Sequence, residues 1–237
     1  MLNTHVAGMP LNLFVLGSYI ANISEVVIWD FSLKYGIPLT RQNYLGIFER
    51  FKDDVASEEP DVVGISCTSG DEYIPTLKVA NAVKEVMPRT TVVVGGYHAS
   101  SCAEEMLMET KDIDCVAVGE GEETLRRIVQ NKIDKKPTLQ NVPGILTFKN
   151  EKMLKTDQIC IDLNDLPFLD KLQLAEYVNA YPSIAVELSR GCPFRCNFCQ
   201  EGVIRRTWRA KSPGRALEEI EFLRKNFDIS DFFFSDT

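Results

Sequence analysis

Thr91-Val92-Val93-Val94-Gly95-Gly96 reads as a short β-strand that ends in two glycines. Two similar runs, Val62–Ser66 and Cys115–Val118, lie before and after it, and residues with helical periodicity follow each run. The runs are apolar throughout, which is typical of parallel strands that helices cover on both faces. Residues 1–135 are therefore predicted to form a doubly wound α/β domain with its ligand crevice at the strand–helix junctions.

The predicted domain is Rossmann-like (flavodoxin-like), and its expected sheet order of 2-1-3-4-5 makes the first strand central. Only Met1-Leu2 precede the first predicted ligand loop, so we expect the sequence to begin inside this domain. Val26–Trp29 is a further β-rich run. Helical spacing is found in Tyr44–Val55, Thr76–Met87, Ser101–Met108 and a segment that ends at Val129.

The α/β rhythm stops after residue 135. Residues 136–182 are predicted to be a linker that contains a hairpin, Gly144–Phe148 with Met153–Thr156. A second unit is predicted over residues 183–237, and its elements are a strand Ile184–Leu188, a loop Arg190–Gln200, a helix Pro213–Asn226 and a strand Asp231–Ser235. This unit is too small to close a core alone, so we expect exposed apolar side chains and self-association.

Composition narrows the function classes. The chain has 237 residues, a net charge of −8 and seven cysteines. The acidic balance argues against a nucleic-acid binder, and the short apolar runs leave no candidate membrane span. The N-terminus does not resemble a secretory signal, so we expect a cytoplasmic protein in which clustered thiols bind metal or act in catalysis.

The densest chemical signal is Cys192, Cys196 and Cys199, which follow a predicted strand with the spacing C-x3-C-x2-C. Three thiolates on one tight loop can hold three irons of a cubane cluster and leave the fourth iron open. The alternative is a zinc knuckle, which needs a fourth ligand. Cys160 is the nearest further candidate, and His5 and His98 are remote.

Basic residues concentrate around this motif. They form either a solvated face or a positive environment for an anionic cofactor or thiolate cluster. Between residues 190 and 215 only Glu201 is acidic, and the basic side chains are Arg190, Arg195, Arg205, Arg206, Arg209, Lys211 and Arg215.

The cysteine spacing, the preceding strand and the aromatic Phe198 together resemble the radical S-adenosylmethionine (SAM) enzymes. The resemblance implies that Cys192, Cys196 and Cys199 bind a [4Fe-4S] cluster whose open iron chelates SAM. It implies that Phe198 lies beside the adenine, and that residues 183–237 begin a radical SAM (β/α) TIM-type barrel. It further implies a small-molecule substrate and an electron donor such as flavodoxin or ferredoxin.

Other blocks resemble the subgroup of radical SAM enzymes that carries a cobalamin-binding domain. These blocks are Val62–Ser66, Val93–Ala99, Gly119–Glu122, Leu166–Phe168, Glu187–Pro193, Arg209–Pro213 and Phe232–Asp236. The resemblance implies cobalamin contacts from Ser66, Thr68, Gly95, Gly96, Tyr97 and His98. Gly95 and Gly96 would let the backbone approach a planar ligand; the alternative is a plain turn after a strand.

The segment Asn3-Thr4-His5-Val6-Ala7-Gly8 is similar to the D-x-H-x-x-G signature in which a histidine binds cobalt. Asn3 replaces the signature's aspartate and cannot supply its negative charge. His5 is accordingly either a cobalt ligand or a loop residue.

The resemblance implies an enzyme that cleaves SAM reductively and transfers a methyl group, or forms a ring, at unactivated carbon. One alternative is a radical SAM methylthiotransferase, for which Cys67, Cys102 and Cys115 would have to bind a second cluster. Another is a non-catalytic cobalamin-binding or metal-binding protein. Because a barrel of eight strands needs roughly 200 residues, we expect the sequence to be an N-terminal fragment of a longer enzyme.

Overall fold

A computed structural model describes residues 8–36, 41–136, 138–205 and 207–236. The helices are α1 (Leu11–Ile20), α2 (Phe31–Tyr35), α3 (Arg41–Glu58), α4 (Tyr73–Val86), α5 (Tyr97–Ser101), α6 (Ala103–Glu109), α7 (Glu122–Ile133), α8 (Lys171–Tyr177), α9 (Glu201–Ile204) and α10 (Pro213–Phe227). The strands are β1 (Val62–Ser66), β2 (Thr91–Gly95), β3 (Cys115–Ala117), β4 (Ile145–Lys149), β5 (Lys152–Lys155), β6 (Ile184–Val186), β7 (Ser189–Arg190), β8 (Arg209–Ala210) and β9 (Phe232–Phe234).

The chain forms two compact units. The central unit is Tyr35–Cys160, and the terminal unit combines Met1–Lys34 with Ile161–Thr237. The domain boundaries after residues 135 and 182 stay a prediction. The packing places residues up to Cys160 in the central unit and joins both ends of the chain in the terminal unit. The described N-terminal residues share a core with the C-terminal part, because Phe14 and Ile28 pack with Tyr177, Val186 and other apolar side chains.

The central unit is a five-stranded sheet in the order β1-β2-β3-β4-β5. The first three strands are parallel, as predicted for the α/β domain, and β4 and β5 are antiparallel. The predicted hairpin is therefore present, and it also extends the main sheet by pairing with β3. That pairing was not foreseen, because the hairpin was predicted to belong to a linker.

Helices cover both faces of this sheet. Val93 and Cys115 pack with Ile128 of α7 on one face, whereas Val92 and Val94 are buried on the other. Helix α4 packs against β1 and β2. Burial on both faces explains why β2 and β3 are apolar throughout, whereas β1, at the end of the strand order, is only half-buried. The doubly wound α/β fold is confirmed.

The terminal unit contains two parallel strands, β6 and β9, with α10 between them in the chain. Ser212 caps α10 by accepting a hydrogen bond from the amide of Arg215, and Pro213 occupies the first turn. This strand–loop–helix–strand order agrees with the prediction for residues 183–237. Leu217, Phe233 and Phe234 are exposed, as expected. Ile184 and Val186 were also expected to be exposed, but they are buried because N-terminal residues such as Phe14 complete a core around them.

The β-rich run Val26–Trp29 is not a strand in the structure. Its Ile28 side chain is buried in the core of the terminal unit, and the Ile28 carbonyl accepts a 2.5 Å hydrogen bond from the Tyr177 hydroxyl. Asp30 accepts a 2.7 Å hydrogen bond from the Tyr181 hydroxyl and caps α2 through the amide of Ser32. Tyr177 of α8 thus satisfies a backbone carbonyl that a sheet would otherwise pair, and Tyr181 holds the side chain of Asp30.

Within the described ranges, no helix is long and apolar enough to cross a membrane.

Candidate functional site

The carboxyl ends of β1, β2 and β3 meet at one edge of the central sheet. The amide of Cys67 donates to the Gly95 carbonyl (2.8 Å), and the amide of Ala99 donates to the Cys67 carbonyl (3.1 Å). The amide of Gly119 donates to Ser100 Oγ (3.1 Å). This edge brings together the residues predicted to contact cobalamin, which are Ser66, Thr68, Gly95, Gly96, Tyr97 and His98.

Gly96 is required by the neighbouring backbone. Its φ of 115° and ψ of 175° lie in a region that only glycine adopts readily. A Cβ atom on Gly96 would stand 2.5 Å from the Cys67 carbonyl oxygen, whereas one on Gly95 would stand an ordinary 3.5 Å from the Cβ of Ala117. The close approach of two strand ends therefore explains the need for glycine at position 96, without the approach of a ligand. A cobalamin contact at either glycine stays a prediction.

Gly96→Ala should destabilise the central unit strongly, whereas Gly95→Ala should not. Backbone strain costs about 1–3 kcal/mol and overpacking about as much again, so Gly96→Ala should lower the free energy of unfolding by about 2–6 kcal/mol. Denaturant unfolding of the two variants measures the difference. Equal stability of both variants would contradict the close approach of Gly96 to Cys67.

The loop after β1 is held by one carboxylate. Glu72 accepts hydrogen bonds from the Thr68 amide (2.5 Å), the Thr68 hydroxyl (3.0 Å) and the Ser69 amide (3.3 Å). Ser69 and Glu72 form a reciprocal capping box at the turn that precedes α4. Thr68 is exposed at the strand-end edge, so its position is set by Glu72 while one face stays open to a ligand.

His98 packs against the start of α4. Its ring lies edge-on to the ring of Tyr73, with centroids 5.8 Å apart. The Tyr73 hydroxyl donates to Glu109 (2.7 Å), and burial together with that carboxylate raises the pKa of Tyr73. His98 thus lies at the strand-end edge in the first turn of α5, packed against Tyr73. His5, the candidate cobalt ligand, lies outside the described residues.

The cysteine motif of the terminal unit lies on a loop that a short ladder closes. β7 pairs antiparallel with β8, and the amide of Cys192 donates to the Arg205 carbonyl (3.3 Å). Cys196 is exposed, and Cys192 and Cys199 are half-buried. Phe198, the predicted adenine contact, is 91% exposed.

The loop does not hold a preformed ligand set. Nowhere in the described part of the chain are three His, Cys, Asp or Glu side chains arranged to hold a metal ion. The three cysteines nevertheless share one exposed loop, and thiols are the usual donors to iron–sulfur clusters. Metal binding commonly draws its ligands together as it forms the site, so the donor set fits a cluster in its chemistry.

Carboxylates that sequence reasoning did not assign hold the base of this loop. Glu187 pairs with Arg190 (2.7 Å) and Arg205 (3.7 Å). Glu201 is buried and accepts a hydrogen bond from the Gly191 amide (3.1 Å). Glu187 lies in a block that carries the family resemblance, but nothing local in the sequence shows that it reaches Arg205.

Two further features fix the start of the cysteine loop. Asp236, after β9, accepts hydrogen bonds from the amides of Leu188 (2.7 Å) and Ser189 (2.8 Å). Gly191 has a φ of 85°, and a Cβ there would overlap the carbonyl of Thr207. The ends of the loop are therefore fixed by contacts from several elements, while its middle is exposed.

Most of the basic side chains around the motif have structural partners. Lys211 forms an ion pair with Glu219, and both side chains are buried. Arg209 donates to the Ile161 carbonyl (2.6 Å). Arg215 donates to the Leu166 carbonyl (2.5 Å) and stacks 3.8 Å from the ring centroid of Phe168. Arg190 and Arg205 also pair with Glu187. These contacts favour a structural role for the basic side chains over a positive surface.

The cysteines of the central unit are poor candidates for a second cluster. Cys115 is buried in β3, and burial raises its pKa to about 12. Burial also raises the pKa of Cys67 and of Cys102, whose Sγ donates to the His98 carbonyl (3.0 Å). The thiolate is the metal-binding form, so this environment weakens the methylthiotransferase alternative.

A parallel sheet with helices on both faces defines the doubly wound α/β class, in which ligands bind outside the carboxyl ends of the strands. The family model of the B12 binding domain matches residues 7–129, which is more than half of the chain. A protein from Pyrococcus horikoshii named as an uncharacterized methyltransferase is 30% identical over 239 residues, which cover 97% of this chain and 49% of that protein. The anaerobic magnesium-protoporphyrin IX monomethyl ester cyclase of Cereibacter sphaeroides is 27% identical over 199 residues, covering 79% of this chain and 32% of the cyclase.

Solved structures agree on the fold. The cobalamin-dependent S-adenosylmethionine radical enzyme OxsB, with aqua-cobalamin and S-adenosylmethionine bound, superposes with a TM-score of 0.79 at 19% identity. The match covers 97% of this chain and 31% of OxsB. The chain therefore belongs to the B12-binding domain family. It spans about half the length of the methyltransferase relative and about a third of the cyclase.

Proposed function

We propose that this chain is part of an enzyme that uses cobalamin, SAM and a [4Fe-4S] cluster to transfer a methyl group to unactivated carbon of a small molecule. The observation that carries the proposal is the loop with Cys192, Cys196 and Cys199, which follows the buried strand β6 and the short strand β7 in the same chain as a B12-binding domain. Ring formation is the second candidate, because the cyclase is also a relative. Methyl transfer comes first because the methyltransferase aligns with nearly the whole chain.

Cys192, Cys196 and Cys199 would hold the cluster, and Phe198 would lie beside the SAM adenine. When bound, the cluster would supply the electron for reductive cleavage of SAM, and cobalamin would supply the methyl group. The residues of this chain would fix the loop. Glu201 accepts the hydrogen bond of the Gly191 amide, and Asp236 accepts those of the Leu188 and Ser189 amides. The exposed middle of the loop would also leave access for an electron donor such as flavodoxin or ferredoxin.

Cobalamin would bind at the carboxyl edge of the central sheet. Ser66, Thr68, Gly95, Gly96, Tyr97 and His98 all lie there, and Thr68 is exposed on a loop that Glu72 fixes. Ligands of doubly wound sheets bind outside the carboxyl ends of the strands, which supports this placement. His5 remains a candidate ligand to cobalt.

Anaerobic reconstitution with iron, sulfide and cobalamin tests this function. We expect a visible spectrum that shows both the cluster and bound cobalamin. Protein that binds cobalamin but takes up no iron would instead support the non-catalytic alternative. Protein that binds neither would overturn the proposal.

A bulky residue at the carboxyl edge should block cobalamin. Thr68→Trp should raise the Kd for cobalamin at least about tenfold, since forcing extra volume into a packed site costs about 1–3 kcal/mol. The matched control is Lys111→Trp, because exposed Lys111 lies just before β3, at the opposite edge of the sheet. Spectroscopic titration of both variants measures the Kd values. Equal affinity in the two variants would place cobalamin elsewhere.

A further inference from the structure

We propose that Glu187 is a positioning residue that clamps the two ends of the cysteine loop and thereby sets the arrangement of the three thiols. This inference rests on the proposed function in one respect: it takes Cys192, Cys196 and Cys199 as the cluster ligands. The clamp itself is a feature of the protein alone, so it can be tested with and without iron.

One carboxylate reaches both ends of the loop. Glu187 Oε2 lies 2.7 Å from Arg190 Nε, and Glu187 Oε1 lies 3.7 Å from Arg205 Nη1. The three cysteines all lie between those two arginines in the sequence. The Glu187, Arg190 and Arg205 side chains are 14%, 4% and 17% exposed, so solvent screens these ion pairs less than pairs at an open surface.

The clamp is connected to the first cysteine through the backbone. The carbonyl of Arg205 accepts the amide of Cys192 (3.3 Å), and Glu201 accepts the amide of Gly191 (3.1 Å). A displacement of Arg205 therefore moves the hydrogen-bond partner of Cys192. Glu187 therefore acts on Cys192 through Arg205, without contacting Cys192 itself.

A clamp matters here because the ligand set is not preformed. Bringing flexible groups into one geometry costs conformational entropy, and fixing the ends of the loop in advance lowers that cost. Groups that orient metal ligands without binding the metal typically change metal affinity or activity by 10–100-fold. We expect Glu187 to fall in this range.

Two variants separate the clamp from general stability. Glu187→Gln removes the charge and keeps the shape, and Arg205→Gln removes the longer ion pair of Glu187 and keeps the carbonyl that accepts the Cys192 amide. The matched controls are Glu218→Gln and Arg224→Gln, on exposed positions of α10. Glu187→Asp keeps the carboxylate and should restore part of the effect. Thermal unfolding of every variant identifies any that fail to fold.

The first measurement needs no cluster. Amide hydrogen exchange of iron-free protein should be at least about tenfold faster at Gly191 and Cys192 in Glu187→Gln and in Arg205→Gln, with exchange in β1 and β2 unchanged. The second measurement uses reconstituted protein. Iron release to a chelator should be about 10–100-fold faster in the same two variants, with a changed electron paramagnetic resonance signal of the reduced cluster.

Each outcome decides one point. Unchanged exchange at Gly191 and Cys192 overturns the clamp, whatever happens to iron. Faster exchange with unchanged iron release also overturns it, because the loop base would then not position the ligands. Faster exchange in a chain that takes up no iron supports the clamp and refutes the proposed function. Arg205→Gln decides the matter if Glu187→Gln does not fold.

Discussion

Replacing Cys192, Cys196 and Cys199 together by alanine is expected to abolish iron binding. Anaerobically reconstituted parent protein should hold about four irons per chain, in line with a cubane cluster held by cysteine thiolates, and the triple variant should hold none. The reason is that these three thiols are the proposed ligands, and within the described ranges no three His, Cys, Asp or Glu side chains stand ready to replace them. Iron and sulfide analysis, together with the visible spectrum, measures the loss.

Cys160→Ala is the matched control. Cys160 is an exposed cysteine outside the motif, and it is the nearest candidate for the fourth ligand of a zinc site. Iron content should be unchanged in this variant. A triple variant that keeps its iron would refute the assignment, and tight stoichiometric zinc that depends on Cys160 would favour a zinc knuckle.

Breaking the buried ion pair between Lys211 and Glu219 should unfold or severely weaken the terminal unit. Both side chains are buried, and the pair links the residue after β8 to the middle of α10. Removing one partner leaves an uncompensated buried charge, which costs about 3–5 kcal/mol. Glu219→Gln and Lys211→Met should each lower the free energy of unfolding by that amount in denaturant titrations.

Two controls identify the cause. The double replacement Lys211→Met with Glu219→Leu should recover most of the loss, because a buried pair replaced by apolar groups is often neutral or stabilising. Lys136→Met removes an exposed ion pair with Asp134 and should change stability by less than about 1 kcal/mol. A double variant as unstable as the single variants would show that the charges are not the cause.

Some features of this protein follow from local sequence patterns. The apolar runs at Val62–Ser66 and Thr91–Gly95 were predicted as parallel strands and are β1 and β2. A strand buried on both faces must be apolar at consecutive positions, so a short window of residues is sufficient to recognise it. The C-x3-C-x2-C spacing is equally local, and it places three thiols on one loop whatever the rest of the chain does.

Other features depend on residues that are distant in the sequence. The strand propensity of Val26–Trp29 is overridden because Ile28 is buried beside Tyr177 in the terminal unit. The hairpin was predicted correctly, but its pairing with β3 could not be, since local turn chemistry does not choose the neighbouring strand. His5 and the roles of the predicted site residues stay predictions.

The amino-acid sequence alone thus determines the parallel strands with their helices, the hairpin and the cysteine spacing, because periodicity and turn residues act over a few positions. Only the tertiary structure decides which backbone crowds Gly96, which arginines Glu187 pairs with and which core receives the N-terminal residues. Such contacts depend on the distance between atoms of separate elements. That distance is set when whole elements pack, so no local pattern encodes it.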